Sequence, residues 1–302
     1  MRCPRSGTAA VALALLLLGA LAGAAEAGPR RNLTYNLPED RLESFALEVR
    51  QVVETSFTRL PPESKDYDVD DLMSRIGRSE SKATGRLERV VARAFRDGSY
   101  GLVTRVAALE GTTDRGEGPR PLELNALVGK SLSLRVLSSG QVVDSFGWGH
   151  LAGASGGGDL VADALLQSVL RLPNTLPRGR PVMATWDLRV PVDAFLQRVQ
   201  SWVLTWTEAP APADCKRCTA LSYTGTLKEV SRDVHPARPM SLEGEGTVEG
   251  TLILGAGSRR LQQHDWTTRW TRSVRSHRAN DTLRGELSQS VELTGSLRAV
   301  EP

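Results

Sequence analysis

Residues 153–157 read Gly-Ala-Ser-Gly-Gly, a G-x-S-x-G pattern between a strand-like stretch and a helix-like one. In a nucleophile elbow this pattern lifts a serine out of a sharp strand-to-helix turn. His150 and Asp159 stand close by in sequence and would serve as base and orienting acid. The elbow, however, needs a parallel sheet built from βαβ units, and this chain offers a single convincing helix. The histidine of such a triad follows the serine and the acid. His235, His264 and His277 do follow, but no motif marks any of them. Five glycines in this bend more simply make a tight connection. No catalytic residue is assigned, the chain is read as non-enzymatic, and a serine hydrolase centred on Ser155 stands only as a remote alternative.

Cys215 and Cys218 lie in Asp-Cys-Lys-Arg-Cys-Thr. Three readings are open: a small local disulfide, a redox dithiol and half of a zinc site. A redox pair favours a helix N-terminus that lowers the thiol pKa, and here the flank is the loop-like Pro210-Ala211-Pro212-Ala213-Asp214. Zinc needs further ligands, and neither a second pair of cysteines nor clustered histidines supplies them. In an oxidising compartment the disulfide leads. The acidic residues Asp66, Asp68, Asp70 and Asp71 suggest calcium, but the loop glycine and terminal glutamate of an EF-hand are absent, so a solvated loop is the simpler reading. No metal and no cofactor are expected.

Arg269, Arg272, Arg275 and Arg278, interleaved with Trp266, Trp270 and His277, form a basic, aromatic tract. On a strand, Arg269 and Arg275 share one face while Arg272 and Arg278 share the other, which splits the charge. The tract is read as a strand with arginine stems over apolar surface, and nucleic acid is not expected as a partner. Trp186, Trp202, Trp206, Trp266 and Trp270 all follow the helix. They are core residues by default, although Trp202 and Trp206 on one strand face would also line an apolar cavity.

The elements that must position these residues follow from periodicity. Residues 1–27 read as a signal peptide: Arg2 and Arg5 precede the apolar run Ala9 to Gly23, and Ala25-Glu26-Ala27 gives the cleavage pattern. The run is too short to span a membrane as a helix. The mature chain is expected outside the cytoplasm, in the periplasm or beyond. Losing Arg2, Arg5 and Glu26 takes the formal charge from +3 to +2, which by itself points to no polyanionic partner. Asn32-Leu33-Thr34 and Asn280-Asp281-Thr282 match the glycosylation acceptor pattern, relevant only in a host with that machinery.

Residues 28–302 are read as one β-rich domain: a first sheet half over 41–148, a helix over 158–172 and a second half over 180–300. Phe45, Leu47, Val49, Val53 and Phe57 alternate with Glu48, Arg50 and Glu54. Residues 61–81 and 111–121 read as loops, and Leu122 to Val128 as a strand. Asp97-Gly98 joins two strands as a hairpin. Trp202, Leu204 and Trp206 share one face of a later strand, and Leu283, Leu287, Val291, Leu293 and Leu297 line the last. The helix carries Asp159, Asp163, Gln167 and Arg171 as a narrow polar stripe on an apolar cylinder, so it should be buried on most sides. The fold class is therefore mainly β: a large curved antiparallel sheet or half-barrel of about eleven strands around an apolar helix.

That plan resembles the periplasmic lipoprotein-carrier half-barrels. It is also similar to exported bacterial β-rich families in which a Gly-Lys-Ser-Leu-Ser-Leu-Arg-Val hairpin, here beginning at Gly129 and returning through Gly140-Gln141-Val142, precedes a helix and a Leu-Pro segment, here Leu176-Pro177. The resemblance implies a lipid or other apolar ligand held between sheet and helix. The residues expected to line that cavity are Val161, Leu165, Val169, Trp202, Leu204 and Trp206. The alternative is a cell-envelope scaffold that binds a protein partner and no ligand. In either case the mature chain is expected to hold no transmembrane segment.

Overall fold

The structure is a computed structural model. It describes residues 41–59, 76–137, 142–147, 158–168, 172–173, 175–191, 196–215, 217–233, 240–256, 260–277 and 283–300, all within one compact unit, Leu33–Pro302. The expected signal peptide, His150, Ser155, the acidic cluster at 66–71, and Asn280 with Arg278 lie outside the described residues.

The strands are β1 (Leu42–Arg59), β2 (Gly77–Ala94), β3 (Tyr100–Asp114), β4 (Arg120–Pro121), β5 (Ser131–Val136), β6 (Val142–Phe146), β7 (Val182–Pro191), β8 (Leu196–Glu208), β9 (Thr219–Asp233), β10 (Met240–Leu254), β11 (Leu261–His277) and β12 (Leu283–Val300). Among the described residues one α-helix, α1, spans Gly158–Ser168. The strands form a 12-stranded sheet in the order β6-β5-β3-β2-β1-β12-β11-β10-β9-β8-β7, with β4 paired to β3 alone. Every pairing is antiparallel. The first and last long strands pair along nearly their whole length, from Ser44↔Val300 to Arg59↔Glu286, so the two halves are one sheet. The sheet curls until its edge strands β6 and β7 come within 8 Å of each other, a nearly closed barrel. No ladder joins those two edges among the described residues.

Alternation decides what faces in. On β1 Phe45, Leu47 and Val49 are buried while Glu48 and Glu54 are exposed, as their spacing predicts. On β3 the inward set changes from Leu102 and Val106 to Leu109. Arg86 pairs with Ala108 and Leu87 with Val106, so Ala107 is an extra residue in a bulge that flips the phase. The Asp97-Gly98 hairpin forms as expected, with Gly98 at φ 78° and the Asp97 carboxylate accepting from the Ser99 amide at 3.1 Å.

Several expectations are corrected. The stretch from Gly77 to Ser81, read as loop, is the start of β2, because its polar residues run along strand edges opposite β1. Gly111 to Asp114, also read as loop, continues β3. Leu122 to Val128 is not a strand: it holds a 3-10 turn at Asn125–Leu127 that buries Leu124 and Leu127. The helix is shorter than 158–172, since Leu172 is already non-helical ahead of Pro173, whose ring disfavours helical backbone before it. Nor is α1 a central apolar cylinder with a wet stripe. Asp163 and Gln167 are buried, each at 1% exposure, and bond to inward-facing wall residues.

Candidate functional site

The barrel interior is built in rows. Because each strand pairs with the next in continuous register, inward side chains form rings across the wall. One ring runs Trp206–Tyr223–Gly250–Trp266–Gly295–Val49. A second runs Trp202–Leu227–Gly246–Trp270–Val291–Val53. Trp266 has Gly250 and Gly295 as cross-strand neighbours and Trp270 has Gly246; a Cβ at Gly246 would strike Trp270, while Cβ atoms at Gly250 and Gly295 would strike Tyr223 and Trp266. Alternating large and small inward residues is how such a barrel fits big rings inside its taper. Trp206 and Tyr223 lie with centroids 4.7 Å apart, and His264 and Trp266 at 5.0 Å. The Tyr223 hydroxyl and His264 Nε2 are 3.0 Å apart and buried.

Next to the Trp202–Trp270 ring lies a polar belt: Gln200–Glu229–Gly244–Arg272–Gln289–Thr55. Gly244 leaves room for the Arg272 side chain to cross to β9. The guanidinium donates to Glu229 at 2.9 Å and to Asp163 of α1 at 3.1 Å, with side-chain exposures of 10%, 0% and 2% for Arg272, Glu229 and Asp163. Gln51 donates to the same Asp163 oxygen at 3.4 Å, Gln200 donates to Glu229 at 3.3 Å, and Thr268 donates to Gln167 at 3.4 Å. Buried carboxylates of this kind persist only when paired and hydrogen-bonded. A second ion pair, Arg89–Glu43 at 2.7 Å with the guanidinium over the Phe45 ring, lies inside toward the other end.

The outer face is the opposite in character. Arg269 bridges Glu249 and Glu292 at 3.0 and 2.9 Å, Arg275 bridges Glu243 and Glu286 at 3.1 and 2.9 Å, and Arg50 meets Glu80 at 2.9 Å. The Arg50 and Lys82 hydrogen bonds hold the Glu80 carboxyl down at about 2, and the Ser273 hydroxyl and Arg275 lower that of Glu286. The split of the arginine tract is therefore as the alternation predicts: Arg269 and Arg275 point out into charge ladders, Arg272 points in. Exposed apolar side chains gather beside the seam: Val143 and Phe146 of β6, Met183 of β7 and Val203 of β8.

Of the residues expected to line a cavity, Val161, Leu165, Trp202, Leu204 and Trp206 are all inside the barrel at 0–2% exposure, in one core cluster. The Val169 side chain lies outside the described residues. Cys215 and Cys218 form the expected disulfide, with Cα atoms 5.4 Å apart in a turn where Cys218 N–H donates to Cys215 C=O. Sequence reasoning missed the Arg272–Asp163–Glu229 cluster. Its signal was available in part, since Arg272 stands out of phase with Arg269 and Asp163 lies on a helix with an otherwise apolar surface.

No family model matches the chain, and no curated protein matches it significantly. Among solved structures it is similar to OccK11 (OpdR) of Pseudomonas aeruginosa at 8% identity, covering 90% of this chain and 100% of that one with a TM-score of 0.19. It is also similar to OccK5 (OpdH) of the same organism at 7% identity, covering 87% and 99% with a TM-score of 0.20. A Rh. blastica porin mutant matches at 7% identity, covering 86% and 99% with a TM-score of 0.20. Scores of this size carry no argument about activity. One expectation is nevertheless corrected. That the mature chain holds no transmembrane segment rested on the lack of a long apolar helical run, and porin-type barrels cross membranes with strands instead. Among the described residues no helix is long and apolar enough to cross a membrane, which says nothing of the strands. The expectation is withdrawn.

Proposed function

We propose that this protein is an exported, non-enzymatic β-barrel of the cell envelope that takes a lipid or other apolar ligand into its interior. The observation that carries this reading is the polarity of the wall. Aromatic and aliphatic side chains converge inside, and charge ladders run along the outside of β1, β2 and β10 to β12. A barrel with an apolar inside is a container for apolar matter. The unjoined edges of β6 and β7 supply the way in, since parting them breaks no ladder between described strands.

A second reading, an envelope scaffold without ligand, is favoured by one feature: the lining residues are closely packed. The two are separated by native mass spectrometry of the mature protein purified from its exporting host, followed by titration of the delipidated protein with diphenylhexatriene. A co-purifying apolar mass and saturable fluorescence enhancement support the container. A clean apo mass with no enhancement removes it and leaves the scaffold.

A further inference from the structure

The Cys215–Cys218 bond sits where it contributes little to the fold. β8 and β9 pair without interruption from Leu196↔Asp233 to Glu208↔Leu221, and the Ala209 N–H adds a last rung to the Ala220 carbonyl at 3.0 Å. The hairpin is closed before the cysteines are reached. The bond then joins residues three apart in a turn that two backbone hydrogen bonds already hold. These run from Cys215 N–H to Pro212 C=O and from Cys218 N–H to Cys215 C=O, each 3.0 Å. A ring this small removes less freedom from the unfolded chain than a bond closing a longer loop. Nor is the bond packed away. Pro210, Ala211, Ala213, Asp214 and Arg217 are exposed, and both cysteines are half-buried. Structural disulfides of exported proteins resist reduction, whereas exposed ones belong to the labile, exchanging class. Exchange runs through thiolates, and nearby positive charge helps the leaving cysteine to depart as one. β8 and β9 are strands, so that charge does not come from a helix end. The sequence supplies it: Lys216 and Arg217 stand between the cysteines, against one adjoining carboxylate, Asp214.

We propose that Cys215–Cys218 is a thiol-exchange site that accepts two electrons from a pair of cysteine thiols on a partner protein. A partner thiolate attacks one of the two sulfurs. The Cys215–Cys218 bond breaks, and the other cysteine leaves as a thiolate that takes a proton from water. The partner's second thiol gives its proton to water and attacks the mixed disulfide. The partner departs with a new disulfide, and Cys215 and Cys218 remain as two thiols. One S–S bond is broken and one is formed, and the partner is oxidised by the two electrons that the site gains. The hairpin tip is open to a macromolecule, and the step occurs once per molecule, without turnover. It does not depend on the container reading.

The test uses the full mature protein in its oxidised form, without oxygen, and reduced, unfolded ribonuclease A as the dithiol probe. Alkylation of free thiols followed by mass spectrometry reads both proteins. Ribonuclease is expected to lose one pair of thiols for each Cys215–Cys218 bond that opens. The protein reduced with dithiothreitol, and the Cys215→Ala/Cys218→Ala variant, are both expected to melt within about 2 °C of the oxidised wild type. That variant is expected to oxidise no ribonuclease. Lys216→Ala/Arg217→Ala is expected to slow the exchange by about threefold to tenfold. A bond that survives excess dithiothreitol in the folded protein and opens only in urea overturns the proposal. So does a melt that falls steeply on reduction, which makes the bond a staple. Reduction by dithiothreitol with no transfer from ribonuclease overturns the protein dithiol as the electron source. An unchanged rate in Lys216→Ala/Arg217→Ala overturns the part given to the two cations.

Discussion

At the scale of single residues, the glycines facing the interior are the positions least open to change. Gly→Ala normally gains stability by restricting the unfolded chain. At Gly246 and Gly250 the added carbon meets Trp270 and Tyr223, so the sign should reverse. Gly246→Ala and Gly250→Ala are expected to destabilise by about 1–3 kcal/mol in denaturant melts. Gly255→Ala, whose nearest neighbour is the flexible Gln262 side chain at 3.1 Å, is the control and should be near neutral. Equal behaviour at all three sites would mean that Trp270 and Tyr223 are not wedged against the glycines. Outside the barrel, Glu80 carries a pH signature. Its folded pKa of about 2 lies below the ordinary 4.5, so the stability it contributes is present above pH 4.5 and lost as pH falls toward 2. Wild type should melt higher than Glu80→Gln near neutral pH, and the gap should close between those two values. A gap that stays constant through that window would show that the Arg50–Glu80–Lys82 cluster contributes nothing through ionisation.

At the scale of elements, α1 is positioned by charge as well as by apolar contact. Leu160, Val161, Ala164 and Leu165 pack into the core, while Asp163 reaches Arg272 and through it Glu229. Removing the cation leaves two carboxylates in the interior without it. Arg272→Met is therefore expected to cost about 3–5 kcal/mol, and adding Asp163→Asn and Glu229→Gln to recover much of that loss. Chemical denaturation of the single and triple variants measures it. A single variant as stable as wild type would show that other groups already neutralise the cluster. The helix itself was legible from its hydrophobic run, its glycine start and Pro173. Its mode of burial was not. A stripe of Asp163 and Gln167 on an apolar helix looks like a solvent-facing edge, and only the wall opposite shows that the stripe is its anchoring side.

At the scale of the whole molecule, the seam between β6 and β7 distinguishes this barrel from a sealed one. Among the described residues β6 has 5 residues and β7 has 10. Edges of this kind are where sheets open and where other chains add. A disulfide engineered between β6 and β7 should leave the thermal melt unchanged or raised and should abolish uptake of diphenylhexatriene, with reduction restoring it. Undiminished uptake by the oxidised protein would place the way in elsewhere.

The alternation of β1, β8, β11 and β12, the Asp97-Gly98 hairpin, the split faces of the arginine tract and the Cys215–Cys218 bond were all determined by the sequence itself. They depend on a period of two, on turn chemistry, or on two cysteines three residues apart, and these are local. The boundaries at Gly77, Asp114 and Asn125 were not, because polar strand edges and buried 3-10 turns imitate loops and strands when read alone. What only the tertiary structure decided is which strands become neighbours. Pairing β1 with β12 curls the sheet almost to closure. The register then sets glycine against indole and gathers Gln200, Glu229, Arg272 and Asp163 from four separate elements into one buried belt. Arg272 and Asp163 are 109 positions apart and Gln289 and Thr55 are 234, and no local pattern encodes a register of that range.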